Sequence, residues 1–332
     1  MVFDAQVTER DLAPYSVLVL SNSACLSEAQ CQAIQAWTAA GGTLIATAQT
    51  SALDRTGQAT TAAGLSEVFG VELLGVTAPS EERGCIYVPR SGPSTELLLF
   101  GAVEEADVRC SSTDAEILYT KPTAQPSLPV NISPLDDFRL TGGWVWRDQE
   151  QQMPAVVRHR FGQGVSLFIA ADIGRAYGAA PYPPLRRWLA ESIAELSAAP
   201  LVRLEAPACV EFSASWHGDS LLVHLVNNPN KFTPFSTGQD PEPTAVVWSD
   251  EELVPVHEAR LIFAPGLRPT RAVLPLHGDV PLAVTGSGEG AALVELPPIV
   301  LHEAVRVEGL GQHRRSCEGH PLSQEASNVA RL

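Results

Sequence analysis

Tyr15-Ser-Val-Leu-Val-Leu20 is a nearly unbroken apolar run rich in β-branched residues. A strand wetted on one side would alternate, so this run predicts one covered on both faces, a central parallel strand. The spacing then changes. Cys31, Ile34 and Trp37 recur every three residues on one face of a helix. Ser27, with Gln30 three residues on, forms a capping box that starts this helix at about Glu28, and Leu26 and Cys31 are placed as its hydrophobic staple. Gly41-Gly42 supplies a left-handed stop, and Thr43-Leu-Ile-Ala-Thr47 is a second buried strand. Together they read as one β-α-β turn of a doubly wound sheet.

Around this unit the pattern is weaker. Residues 2 to 8 suit a short strand and Glu9 to Ala13 a link; Ala62 to Gly70 suits a short helix stopped by its glycine, followed by an extended piece from Val71 to Val76. From Pro79 to about Asp148 the chain is rich in Pro, Gly and Ser. Its brief apolar runs at 85–88, 96–100 and 116–119 predict small antiparallel strands laid on the main sheet. Residues 154–160 and 165–170 flank a glycine turn as a hairpin. Pro183-Pro184 opens a helix with one apolar face, Leu185, Trp188, Leu189, Ile193 and Leu196. Beyond Pro200 some seven short runs separated by Pro and Gly predict an antiparallel β-sandwich. The domains expected are thus 1–200 and 201–310, with 311–332 a disordered tail that has no periodic apolar face.

A chain of 332 residues is long enough for two such domains. Its net charge of −16, with only 22 Lys and Arg, argues against nucleic acid or an anionic membrane as partner, since both need clustered bases. Six scattered cysteines with no C-x-x-C pair suggest neither a disulfide framework nor a zinc site. No signal-peptide pattern or apolar stretch of about 18 residues occurs, so a cytoplasmic location is expected.

Four stretches carry a family resemblance: Tyr15 to Ser27, Trp37 to Thr47, Arg160-Phe-Gly-Gln-Gly-Val-Ser-Leu-Phe-Ile-Ala-Ala-Asp172, and Leu222-Val-His-Leu-Val-Asn227. Over roughly residues 3 to 309 they resemble, in order, the non-catalytic C-terminal half of family 42 β-galactosidases and related glycoside hydrolases. That resemblance implies a trimerisation domain with a flavodoxin-like, class I glutamine amidotransferase-like fold, followed by a small β domain. It also implies a TIM barrel that carries the catalytic carboxylates and takes about 250 residues. With Tyr15 so near residue 1, no barrel is expected ahead of it, and the family's first sheet strand and helix are expected to be missing. The expected role is an accessory or oligomerisation portion of a glycoside hydrolase in carbohydrate metabolism. Its partners would be further copies of itself or a separate barrel chain. Other readings are a free-standing carbohydrate-binding or sensing module and an amidotransferase-like hydrolase.

An amidotransferase needs a cysteine on a strained strand-to-helix elbow, served by a histidine and a carboxylate. The elbow after Ile45 reads Ala46-Thr-Ala-Gln-Thr-Ser51 instead, and Cys25 follows the preceding strand. No catalytic, cofactor or metal residue is therefore assigned. Asp172, Arg175 and Tyr177 fall at a strand end, where α/β sheets place ligands, although an Asp there also serves as a cap. Trp144 and Trp146 share one strand face and suit either sugar stacking or core packing. These five are the candidate carbohydrate-facing residues. His217 and His224 read as surface or core histidines without a third ligand, and Thr285 to Gly290 as a hairpin loop.

Overall fold

A computed structural model describes residues 7–54, 56–58, 64–78, 85–91, 97–101, 103–122, 152–179, 183–196, 200–228, 253–286 and 290–310. Trp144, Trp146 and the expected tail lie outside these residues. The chain falls into two compact units, the first reaching Ala198 and the second starting at Ala199.

The first unit begins with α1 (Glu9–Leu12), one turn held by a reciprocal Thr8/Asp11 cap where a plain link was expected. It continues through β1 (Val17–Leu20), α2 (Glu28–Ala39), β2 (Thr43–Thr47), α3 (Ser66–Phe69), β3 (Val71–Thr77), β4 (Cys85–Pro89) and β5 (Leu98–Phe100). β6 (Glu105–Cys110), β7 (Glu116–Pro122), β8 (Gln152–Phe161), β9 (Gly164–Ile169), α4 (Ile173–Ala179) and α5 (Pro183–Leu196) complete it. Seven strands form one sheet in the order β1-β2-β9-β8-β7-β4-β5, and β3 pairs with β6 apart from it. The unit is thus mixed α/β. Among the described strands of this sheet β1, β2 and β9 pair parallel, and the later neighbours pair antiparallel.

Two expectations change here. Among the described residues β1 stands at the edge of the sheet, with Val19 53% exposed, so its unbroken apolar run does not mean burial on both faces. It is β2 beside it, every residue of which is buried, that holds the interior place. Secondly, β4, β5 and β7 do not lie on the main sheet; they extend it in plane.

Helix α2 begins as its sequence predicts. Ser27 Oγ accepts from the Gln30 N–H (3.3 Å), and Gln30 Oε1 accepts from the Ser27 N–H (2.7 Å). Cys31, Ile34 and Trp37 are buried in one cluster with Leu26, Leu44, Ile45, Val156 and Phe168. Each large side chain moved out of water in this way contributes about 1.5–3 kcal/mol. At its other end α2 receives the β8–β9 turn: the Gln163 N–H donates to the Ala39 carbonyl (2.9 Å), pairing a helix-end oxygen with no partner inside the helix. On α5, Leu185 is fully buried and Trp188 meets Tyr119 edge-on at 5.7 Å, whereas Ile193 is exposed.

In the second unit the described strands all pair antiparallel. Its strands are β10 (Val202–Glu205), β11 (Val210–His217), β12 (Ser220–Asn227), β13 (Arg260–Phe263), β14 (Arg271–Leu274), β15 (Val280–Leu282), β16 (Val284–Gly286), β17 (Ala292–Glu295) and β18 (His302–Glu308). They form two sheets, β10-β13-β17-β16 and β11-β12-β18-β14-β15. Leu261, Phe263 and Val294 of the first share a single core with Leu221, Val223, Leu225 and Val305 of the second. Asn227, buried, donates through Nδ2 to the Val254 and Val300 carbonyls, both at 2.9 Å, and so closes backbone groups that the sheets leave open. β16 and β17 are antiparallel neighbours, so the glycine-rich stretch from Thr285 joins a hairpin. Among the described residues no helix is long and apolar enough to cross a membrane.

Candidate functional site

The three parallel strands end side by side, and a residue two or three positions past each carries a polar side chain into one group. Asn22 lies two residues after β1 and Gln49 two after β2; Asp172 follows β9, and Glu104 precedes β6. β6 is brought in by backbone pairing, as the Ala106 N–H donates to the Ala170 carbonyl (2.7 Å) and the Asp172 N–H to the Glu104 carbonyl (2.9 Å). Asn22 is the hub. Its Nδ2 donates to Asp172 Oδ2 (3.0 Å) and Glu104 Oε2 (3.2 Å), and its Oδ1 accepts from the Gln49 N–H (3.1 Å). Gln49 Nε2 donates to the same Glu104 oxygen at 3.1 Å.

The backbone here is strained. Asn22 (φ 49°), Ala48 (φ 49°) and Ser51 (φ 61°) all sit in the left-handed region, which costs a non-glycine residue about 1 kcal/mol or more. Asn tolerates it; Ala48 has no side-chain bond to compensate. Its N–H donates to the Ile169 carbonyl at 2.8 Å, which holds the bend against β9. The turn after β2 is therefore strained, and at Ala48 it presents a buried methyl group.

Asp172 has two duties. Oδ1 accepts from the Arg175 N–H (3.3 Å) and caps α4, as one of its sequence readings foresaw, while Oδ2 faces Asn22. Arg175 is exposed, and Tyr177 packs partly against the core, so the structure joins Asp172 to Asn22, Gln49 and Glu104 and not to those two side chains. Asp172→Ala is expected to cost about 1 kcal/mol, a typical cap loss, read as a lower urea midpoint with unchanged slope. Asn22, Gln49 and Glu104 were missed. The signal for the first two was a polar amide at the matching position after each apolar strand; Glu104 sat in a stretch with no period to place it.

Behind Glu104 the next residue faces the other way. Glu105, Lys121, Cys85 and Tyr87 are all buried, and Lys121 Nζ lies 3.8 Å from Glu105 Oε1 and 2.9 Å from Asp107 Oδ1. Burial first, then the negative charge of Glu105, pushes the Cys85 thiol up from 9.0 to about 12. Burial and the same carboxylate also raise the Tyr87 phenol. Because the folded value for Cys85 lies above the unfolded one, its contribution to stability is whole below about pH 9 and is lost as pH climbs towards 12. Alkaline melting should show a loss of stability over that window, reduced in Cys85→Ser. In alkylation at pH 8, exposed Cys25 should react well before buried Cys31 and Cys85.

Chemically the strand-end group offers two carboxylates and two amides, a set that accepts from and donates to hydroxyl groups. Among the described residues no three His, Cys, Asp or Glu side chains are grouped to hold a metal ion. His224 Nδ1 lies 3.1 Å from His302 Nε2 with the rings stacked, and His217 is exposed. Two clefts of the first unit are lined by other residues. One of about 430 Å3 is lined by Leu26, Cys31, Gln35 and Ser51, another of about 380 Å3 by Tyr15, Trp37 and Gly42.

No family model and no curated protein matches the chain. Solved structures do. The β-galactosidase from Bacillus circulans sp. alkalophilus superposes with a TM-score of 0.55 at 15% identity, over 90% of this chain and 34% of its own. A catalytic mutant of Gan42B, a GH42 β-galactosidase from G. stearothermophilus, gives 0.54 at 14% identity, over 91% and 33%. The chain has the fold of one part of family 42 β-galactosidases. It spans about a third of the length of those enzymes. An α-L-fucosidase, isoenzyme 2 from Paenibacillus thiaminolyticus, shares the fold as well, with a TM-score of 0.59 at 18% identity over 90% of this chain and 41% of the fucosidase. Both units enter these superpositions, since coverage of 90% exceeds what either unit alone provides.

Proposed function

We propose that this chain is an accessory, oligomer-forming portion of a glycoside hydrolase whose bond-breaking groups lie on a catalytic barrel outside it. The observation that carries the reading is the lopsided coverage: nine-tenths of this chain against about one-third of each β-galactosidase. The reading takes β1, β2 and β9 with their helices as the core of a flavodoxin-like, amidotransferase-like domain, and the second unit as its β-sandwich companion. The methyl of Ala48 at the elbow supports it, because an alanine there supplies no nucleophile. The strand ends would then help to frame a sugar site completed by the barrel, with Asp172 turned towards Asn22 and Glu104.

The partner is either further copies of this chain or a separate barrel chain, and affinity capture decides. With the tagged chain as bait in an extract of its source organism, mass spectrometry should identify a polypeptide carrying a glycosidase barrel. Recovery of the bait alone overturns the two-chain form of the proposal. The amide and carboxylate set at the strand ends favours one further reading, a carbohydrate-binding module acting by itself. Calorimetric titration with galactose or fucose, showing binding lost in Asn22→Ala, would select it.

A further inference from the structure

β11 is an edge strand of the five-stranded sheet, and among the described residues nothing pairs with its outer side. It is long and regular: Val210-Glu-Phe-Ser-Ala-Ser-Trp-His217 pairs with β12 through eight consecutive positions without a bulge. The Asn228 N–H donates to the Cys209 carbonyl (2.9 Å), and the Gly218-Asp219 turn closes His217 on Ser220. By the alternation of an antiparallel ladder, Glu211, Ser213, Ser215 and His217 then bond to β12, while Phe212, Ala214 and Trp216 aim N–H and C=O outward. The side chains of those three sit opposite Leu225, Val223 and Leu221 and so belong to the core face. Even so, Phe212 is 42% and Trp216 37% exposed. Edges that must stay single carry lysine, proline or a bulge. This one has none of them.

The strand also reads as its own complement about Ala214. Ser213 mirrors Ser215, Phe212 mirrors Trp216, and Glu211 mirrors His217. We propose that two copies of the chain pair through β11, antiparallel about a two-fold axis at Ala214, joining their five-stranded sheets into one. Each outward backbone group then meets another, because residues 212, 214 and 216 fall opposite partner residues 216, 214 and 212. Phe212 packs across the strand on Trp216 of the partner subunit, Ser213 faces the partner's Ser215, and Glu211 faces the partner's His217. Cross-strand aromatic pairs stabilise sheets, and an imidazole N–H opposite a carboxylate can donate to it. In a chain of net charge −16 a self-contact that sets carboxylate against carboxylate is unfavourable, and this register instead places the strand's one carboxylate opposite a histidine. Within its own protomer Glu211 also accepts from Asn228 Nδ2 (3.3 Å), which a carboxylate with two accepting oxygens accommodates. The inference concerns the second unit and does not rest on the proposed glycosidase role.

Sedimentation equilibrium of the full chain tests it. The wild type should form a dimer. Ala214→Pro removes one outward N–H and leaves the β12 ladder intact, a place where an edge strand accepts proline. It should weaken the dimer at least tenfold with little change in the melting curve. Glu211→Lys should weaken it too, and adding His217→Glu should restore it, which a merely structural effect on one protomer would not do. A wild type that stays monomeric at every concentration overturns the proposal, as does an Ala214→Pro variant that dimerises as tightly as the wild type. Should that variant fail to fold, the charge swap decides alone, and no recovery in the double variant overturns it.

Discussion

Lys121→Met should lower the stability of the first unit by about 3–5 kcal/mol, the usual result of breaking a buried ion pair from one side. Lys121 and Glu105 keep only 3% and 5% of their side-chain surface exposed, so removal of the ammonium leaves a carboxylate in an apolar interior beside Cys85 and Tyr87. Methionine fills the lysine stem's volume, and the loss therefore reports charge and not a cavity. The prediction has a second half. Lys121→Met with Glu105→Leu should recover most of that loss, because a hydrophobic pair removes both desolvation costs at once. Urea unfolding followed by tryptophan fluorescence measures both. A single variant within about 1 kcal/mol of wild type would mean that water reaches the pair.

Gly164→Ala is the other large effect, expected at about 3 kcal/mol, the upper part of the range for overpacking. A Cβ at this position would run into the carbonyl oxygens of Thr38 and Gly42, well inside van der Waals contact. Both obstacles are backbone, so no side chain can swing away. The β8–β9 turn must lift off the end of α2, breaking the bond from Gln163 to Ala39 and loosening the contact on which β9 enters the sheet. Gly101→Ala, where a Cβ meets nothing within 4 Å, is the control and should change stability little.

What could be read from the chain followed from short-range physics. The capping box of Ser27 and Gln30, the stripe of Cys31, Ile34 and Trp37 and the strand at Thr43–Thr47 are local devices, and all reappear in the structure. Strand order is not local. The run at Val17–Leu20 looks the same at an edge as at a centre, since apolar composition records what a strand tolerates and not who its neighbour is. β6 was missed for a different reason. Glu105-Ala-Asp-Val-Arg-Cys110 carries three charges in six residues; Asp107 and Arg109 keep contact with water, and the buried Glu105 has Lys121 of another strand beside it. The site shows the same limit. Asp172 was visible because it follows an obvious strand, yet its partners Asn22, Gln49 and Glu104 are 150, 123 and 68 positions away along the chain. Only the parallel pairing of β1, β2 and β9 brings the first two to it, and the pairing of Glu104 to Asp172 brings the third.

We have proposed that the chain holds a glycosidase-like scaffold while the groups that cleave the bond lie outside it. The most direct test of that proposal is the release of nitrophenol from nitrophenyl β-galactoside and α-fucoside by the purified chain alone. The account predicts release no faster than the buffer blank at any pH from 4 to 9. Turnover that disappears in Glu104→Gln or Asp172→Asn would contradict it, for the strand-end carboxylates would then be the catalyst.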